Sequence, residues 1–111
     1  MKHLMKLKPN PFESIKNGIK TIEIRLYDEK RQLLNIGDTI EFTNIETKET
    51  LCVEVIGLHR FNNFVELFET FDKVSLGYQK DEEANPSDME TYYSKEEQSK
   101  YGVIGIEIKL I

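Results

Sequence analysis

Apolar and polar residues alternate most clearly over residues 21–27. Ile22, Ile24 and Leu26 fall between Thr21, Glu23, Arg25 and Tyr27, the period of a β-strand. The same alternation closes the chain, where Ile104, Ile106, Ile108 and Leu110 are set against Gly105, Glu107 and Lys109, predicting a strand over Val103–Ile111. Residues 3–7, Thr39–Thr43 and Leu51–Leu58 read as three further strands, the last two joined by a hairpin connection at Asn44–Glu49. Ile36-Gly37-Asp38 is a turn into the strand at Thr39, and the polar residues 28–35 before it read as a loop.

Helical spacing appears in three places. Pro9-Asn10-Pro11 breaks the first strand. Asn10 then suits an N-cap, Pro11 the first helical position, and Glu13 adds acid to the first turn. Phe12 and Ile15 form the apolar stripe of this helix, with Ile19 joining if the helix runs that far; Asn17-Gly18 ends it. Phe61, Phe64, Val65, Phe68 and Phe71 predict a second helix over residues 62–71. Their aromatic stripe reads as core packing before it reads as a platform for stacked bases. A third helix, capped near Ser87 and presenting Met89, Tyr92 and Tyr93, is predicted to extend to Lys100 and stop at Gly102. Five or six short strands with two or three helices predict an α+β fold in which a curled antiparallel or mixed sheet, or small barrel, is flanked by helices.

At 111 residues the chain is expected to form one domain over residues 1–111. No apolar run approaches the roughly 20 residues of a membrane-spanning helix. Met1-Lys2-His3-Leu4-Met5-Lys6 lacks the apolar core of a signal peptide, and Cys52 is the single cysteine, so a cytoplasmic location is expected. With His3 and His59 as the only histidines, no metal site is expected. The charge is uneven. Residues 1–31 carry eight Lys/Arg against four acids, whereas the remainder carries seven against sixteen. A net charge of −5 makes a poor non-specific binder of nucleic-acid backbone, so no DNA partner is expected. The basic end can still hold one phosphate or a short single strand.

That end contains Gly18-Ile19-Lys20-Thr21-Ile22-Glu23-Ile24-Arg25, a Gly-x-Lys-x-x-Glu-x-Arg pattern across a helix–strand junction. Glu23 and Arg25 share the face expected to be outward. Lys20 has the opposite parity and joins them only if alternation begins after it. A carboxylate can accept from a base amino group, and a guanidinium can grip a phosphate. The bland reading is a surface ion pair worth roughly 0–1 kcal/mol. Glu82 and Glu83 read first as a solvated acidic loop and second as a source of a general acid/base. Tyr92, Tyr93 and Tyr101 read as partial core, with base stacking as the alternative.

The order of helix, Gly18–Arg25 strand, Ile36-Gly37-Asp38 turn and late Tyr101-Gly102-Val103-Ile104-Gly105-Ile106 strand resembles the ASCH domain, a PUA-like β-barrel family. The resemblance runs over nearly the whole chain. It implies a polar cleft beside the barrel, proposed in this family to bind RNA or a nucleotide-like ligand, with Gly18, Lys20, Thr21, Glu23, Arg25, Glu82 and Tyr93 as its candidate residues here and no cofactor. Some small bacterial members are amidohydrolases that remove the acetyl group from acetylated cytidine. In those the motif lysine works with a threonine three residues later and a downstream glutamate. Lys20 matches the lysine, Glu23 stands at the threonine position, and Glu82 or Glu83 falls near the glutamate. An enzymatic version would therefore use Lys20, Glu23 and Glu83, with water or Thr21 as nucleophile. Two other expectations stand beside it: a binding module for RNA or a nucleoside or nucleotide, and a protein–protein adaptor using the acidic 81–97 region.

Overall fold

The computed structural model describes all residues from Met1 to Ile111. Five strands form one mixed sheet: β1 (Lys2–Leu7), β2 (Ile22–Leu26), β3 (Thr39–Asn44), β4 (Thr50–Phe61) and β5 (Val103–Leu110), in the order β1-β3-β4-β5-β2. Only β1 and β3 run parallel; the other pairings are antiparallel. The sheet curls into a half-barrel. Its two edge strands come together where Arg25 Nη2 on β2 donates to the Lys6 carbonyl on β1 at 2.9 Å. The expected α+β fold with a curled sheet is thus the one observed.

Three α-helices flank the sheet: α1 (Pro9–Lys16), α2 (Phe64–Thr70) and α3 (Lys95–Tyr101). Helix α1 starts earlier than its sequence suggested. Pro9 occupies the first helical position, Lys8 precedes it without a side-chain cap, and Glu13 falls beyond the first turn. The fixed φ of Pro9 is already helical and its missing N–H is one the first turn leaves unpaired, so the earlier proline takes the start. Phe12 and Ile15 are fully buried, but Ile19 is outside the helix and exposed. In α2 the buried residues are Phe64 and Leu67, while Val65 is exposed and Phe61 belongs to β4. The expected long third helix is two pieces. A 3-10 turn at Pro86–Thr91, capped by the Asn85 side chain, is followed by a break and then α3. Ser94 and Glu97 form a reciprocal capping box that starts α3 afresh, and this local competitor overrides continuous helical spacing.

Two apolar clusters share the sheet. One joins Met5, Phe12, Ile15, Ile40, Phe42, Val53, Ile104 and Ile106 and lies inside the curl, under α1. The other joins Ile22, Ile24, Leu26, Phe64, Leu67, Leu76 and Val103 on the opposite face, under α2 and the loop that carries Leu76. Gly105 makes room for that second layer, since a Cβ there would lie 3.0 Å from the Phe71 ring and 3.2 Å from Ile22. Strand β4 pairs with β3 and β5, and its pairing with β5 shifts register between Val55 and Gly57, where Ile56 is exposed.

This arrangement corrects the orientation of the charged strand. Glu23 pairs across from Ile106 and Arg25 from Ile104, both members of the inner cluster. Directly opposed residues on neighbouring strands point to the same face. Glu23 and Arg25 therefore point into the curl, and the apolar Ile22, Ile24 and Leu26 point outward beneath α2. Both faces of β2 are covered, so alternation gave the period but not the side that meets water.

Candidate functional site

The chain from Ile19 to Ile22 is fixed at both ends of the helix–strand junction. Gly18 takes a φ of +78°, and the Ile19 and Lys20 amides both donate to the Ser14 carbonyl of α1. The Thr21 and Ile22 amides both donate to the Ser75 carbonyl at 3.0 Å. Regular alternation starts only at Ile22, which frees Lys20 from strand parity. Its Nζ lies 3.1 Å from Glu23 Oε1. On the other carboxylate oxygen, Arg25 Nε donates at 2.9 Å and Nη2 at 2.8 Å. The Ile24 amide also donates to Oε1, at 3.2 Å.

Lys20, Glu23 and Arg25 thus form a buried triad, with side-chain exposures of 10%, 4% and 14%. Burial by itself would raise the Glu23 pKa. The Lys20 and Arg25 charges and their hydrogen bonds outweigh it and hold the carboxyl at about 2. Burial would likewise lower the Arg25 pKa, but the Glu23 carboxylate more than reverses this. A carboxylate that weakly basic, with both oxygens already accepting, is not a general base at neutral pH. In this geometry the Glu23 carboxylate holds two cations in place.

The triad is not neutral. It holds two cations and one anion. All of the Arg25 hydrogen bonds run through Nε and Nη2, and the Lys20 ammonium has Glu23 as its single carboxylate partner within 4.0 Å. Arg25 Nη1 and two ammonium hydrogens remain available to an acceptor.

The remaining candidate residues divide into two groups. Tyr93 belongs with the triad: burial raises its hydroxyl pKa first, with Arg25, Arg31, Glu23 and Asp28 all near enough to perturb it. Its ring stacks on Phe64 with centroids 5.9 Å apart. Gly18, Lys20 and Thr21 line a pocket of about 360 Å³ walled by Ile15, Val53, Ile108 and Leu110. Lys20 therefore stands between that pocket and Glu23. The acidic pair is elsewhere. Glu82 and Glu83 are both exposed, and Glu82 Oε1 is engaged with the Gln79 amide at 3.0 Å. Neither reaches the Lys20 ammonium. The Glu82 carboxylate closes its own turn on Gln79 and both acids stay in solvent, so the expected partnership of Lys20 with Glu82 or Glu83 is not formed.

Two members of the site escaped the sequence reading. Arg31 is mostly buried and pairs with Asp28 at 3.2 Å; its Nε is buried with no hydrogen-bond partner. The three-residue spacing of Asp28 and Arg31 was the available signal. Gly77 carried none. It adopts a φ of +106°, and a Cβ there would meet Lys20 Cδ at 3.1 Å. Gly77→Ala is expected to destabilise the fold by about 1–3 kcal/mol through backbone strain and to displace the Lys20 stem. A melting temperature unchanged by that substitution would show that the loop yields and does not fix Lys20.

Comparison with known proteins agrees with this architecture. A model of the ASCH domain matches residues 5–111. The crystal structure of the protein PH0355 is 35% identical, covers both chains completely and superposes with a TM-score of 0.83. The solution structure of PF0455 from Pyrococcus furiosus is 34% identical over 100% of this chain and 98% of that one, with a TM-score of 0.73. A crystallised point mutant of ZmASCH from Zymomonas mobilis is 12% identical over 97% of this chain and 67% of its own, with a TM-score of 0.62, a likeness of fold. A search of curated proteins finds no match. The half-barrel, its helices and the matched residues lead to one assignment: the chain belongs to the ASCH domain family, with a PUA-like α+β fold.

Proposed function

We propose that this ASCH domain is a binding module for RNA or a nucleotide, with the Lys20–Glu23–Arg25 triad as its anion-facing element. The observation that carries this reading is the surplus charge. A buried cluster of two cations on one carboxylate, with N–H donors still unused, is complementary to a phosphate or another anionic group. Burial is costly for charges that serve stability alone. Arg31, with its unpartnered Nε, and Tyr93 lie beside the triad and add a second guanidinium and an aromatic ring. An amidohydrolase reading has less support, because the one carboxylate at Lys20 is held far below the pKa of a base.

An amide chemical-shift titration with cytidine, acetylated cytidine and a short single-stranded RNA tests the proposal, with each mixture assayed for deacetylation. Shifts concentrated at residues 18–25 and at Tyr93, without turnover, are the expected result. Turnover of acetylated cytidine would replace the binding reading with an enzymatic one. No shift with any of the three ligands would overturn both and leave the triad a structural feature.

A further inference from the structure

A second recess lies away from the triad. It is an open groove of about 980 Å³ between the end of β4 and helix α3, and its walls include Tyr27, Arg60, Lys95, Lys100 and Tyr101. Three cations face it against one acid, Glu66, in a chain whose net charge is −5. Glu66 Oε1 is engaged by the Asn62 amide at 3.0 Å at the start of α2. The cations are almost uncommitted. Arg60 and Lys100 form no ion pair, and Lys95 approaches Glu90 only at 3.7 Å. Two of them lie over aromatic rings: the Arg60 guanidinium 4.1 Å from the Tyr27 centroid and the Lys100 ammonium 5.0 Å from that of Tyr101. A guanidinium held over a ring offers a planar cation for a base to stack on, with N–H groups left over for phosphate.

Two chain segments connect the groove to the triad. Tyr27 follows Arg25 by two residues, about 7 Å along an extended chain. Helix α3 begins at Lys95, two residues after Tyr93, and the Tyr27 amide donates to the Gly102 carbonyl at the far end of that helix. One stretch of chain from Arg25 to Tyr27 and another from Tyr93 to Gly102 thus lead from the triad into the groove.

We infer that the groove is a second subsite that holds the backbone of a single-stranded RNA whose one nucleotide engages the triad. The inference rests on the nucleotide-binding reading of the triad and makes the ligand an oligomer, not a free nucleoside. A net charge of −5 disfavours non-specific binding of a polyanion, so RNA held here depends on the cations of the triad and the groove.

The test compares cytidine monophosphate with a hexanucleotide RNA on the wild-type chain, on Lys20→Met and on the double variant Arg60→Ala/Lys100→Ala, whose altered residues are solvent-facing. Circular dichroism confirms that each variant is folded. The hexamer is expected to bind wild type more tightly than the mononucleotide. The double variant should weaken the hexamer by roughly three- to tenfold per cation and reduce its log–log salt slope by about 0.7 for each phosphate no longer neutralised, leaving the mononucleotide unchanged. Hexamer affinity unaffected by the double variant would overturn the groove. Hexamer binding that needs the groove but is indifferent to Lys20→Met would overturn the triad reading alone. A wild-type chain that binds neither ligand would overturn both.

Discussion

Glu23→Ala is expected to destabilise the protein by about 3–5 kcal/mol, the usual consequence of leaving buried charge without its partner. The triad makes the direction unambiguous. Removing the carboxylate leaves Lys20 and Arg25 as two neighbouring cations inside the curl of the sheet, and it removes the acceptor of two Arg25 hydrogen bonds. The same carboxyl predicts an acid limit. Its folded pKa of about 2 lies below the ordinary 4.5, so the unfolded chain binds more protons between those values. Stability is therefore complete above about pH 4.5 and is lost as pH falls towards about 2, by on the order of 3 kcal/mol from this group. Asp38 titrates over a similar span. The His3 hydrogen bond, then the Asn35 amide, hold its carboxyl at about 2. Urea midpoints measured from pH 7 to pH 2.5 on wild type and Glu23→Gln separate the two: the variant should lose stability at neutral pH and show a shallower acid dependence. Equal midpoints for Glu23→Ala and wild type would mean that the triad is not a buried ionic unit.

Lys20→Met should do the reverse, with little effect on stability and a large one on binding. The charge balance gives the reason. Without Lys20 the remaining Arg25–Glu23 pair is neutral, doubly hydrogen-bonded and still joined to Lys6, and methionine fills a similar volume. The expected cost is about 1 kcal/mol or less. What disappears is the surplus positive charge. A charged hydrogen bond to an anion contributes about 1.5–3 kcal/mol, so RNA or nucleotide affinity should fall roughly 10- to 100-fold. Arg25→Ala is less suited to this purpose, because it also opens the contact between the two edge strands and exposes Glu23 to an incomplete counter-charge. Titration calorimetry of Lys20→Met with the RNA hexamer is the direct measurement. Retention of wild-type affinity by a folded Lys20→Met protein would exclude the triad as the anion-binding element.

Much of the architecture was legible locally. The strands at residues 2–7, 22–26, 39–44 and 103–110, and the turns at Gly18 and Gly37, follow from period-2 alternation and from glycine placement, both properties of a few adjacent residues. The condition that Lys20 joins Glu23 only if alternation starts after it was also set by sequence, and the Ser14 and Ser75 carbonyls meet it. The errors arose where elements compete or pack. The break before α3 came from a capping box that helical spacing alone does not weigh. Glu82 and Glu83 were placed by distance along the chain, which says nothing about a turn that closes on Gln79 and keeps both acids in solvent.

The sequence by itself determined which residues are charged, where the strands run and that three opposite-signed side chains sit within six positions of one another, because these depend on the order of the chain and on backbone geometry. The tertiary structure decided that Glu23 and Arg25 face inward, that Lys20 carries their surplus charge to the rim of a pocket, and that Arg60 and Lys100 share a groove. Those outcomes depend on which face of β2 a distant helix covers and on the curl that brings β1 to β2. Contacts between segments tens of residues apart set both, and local periodicity carries no record of them.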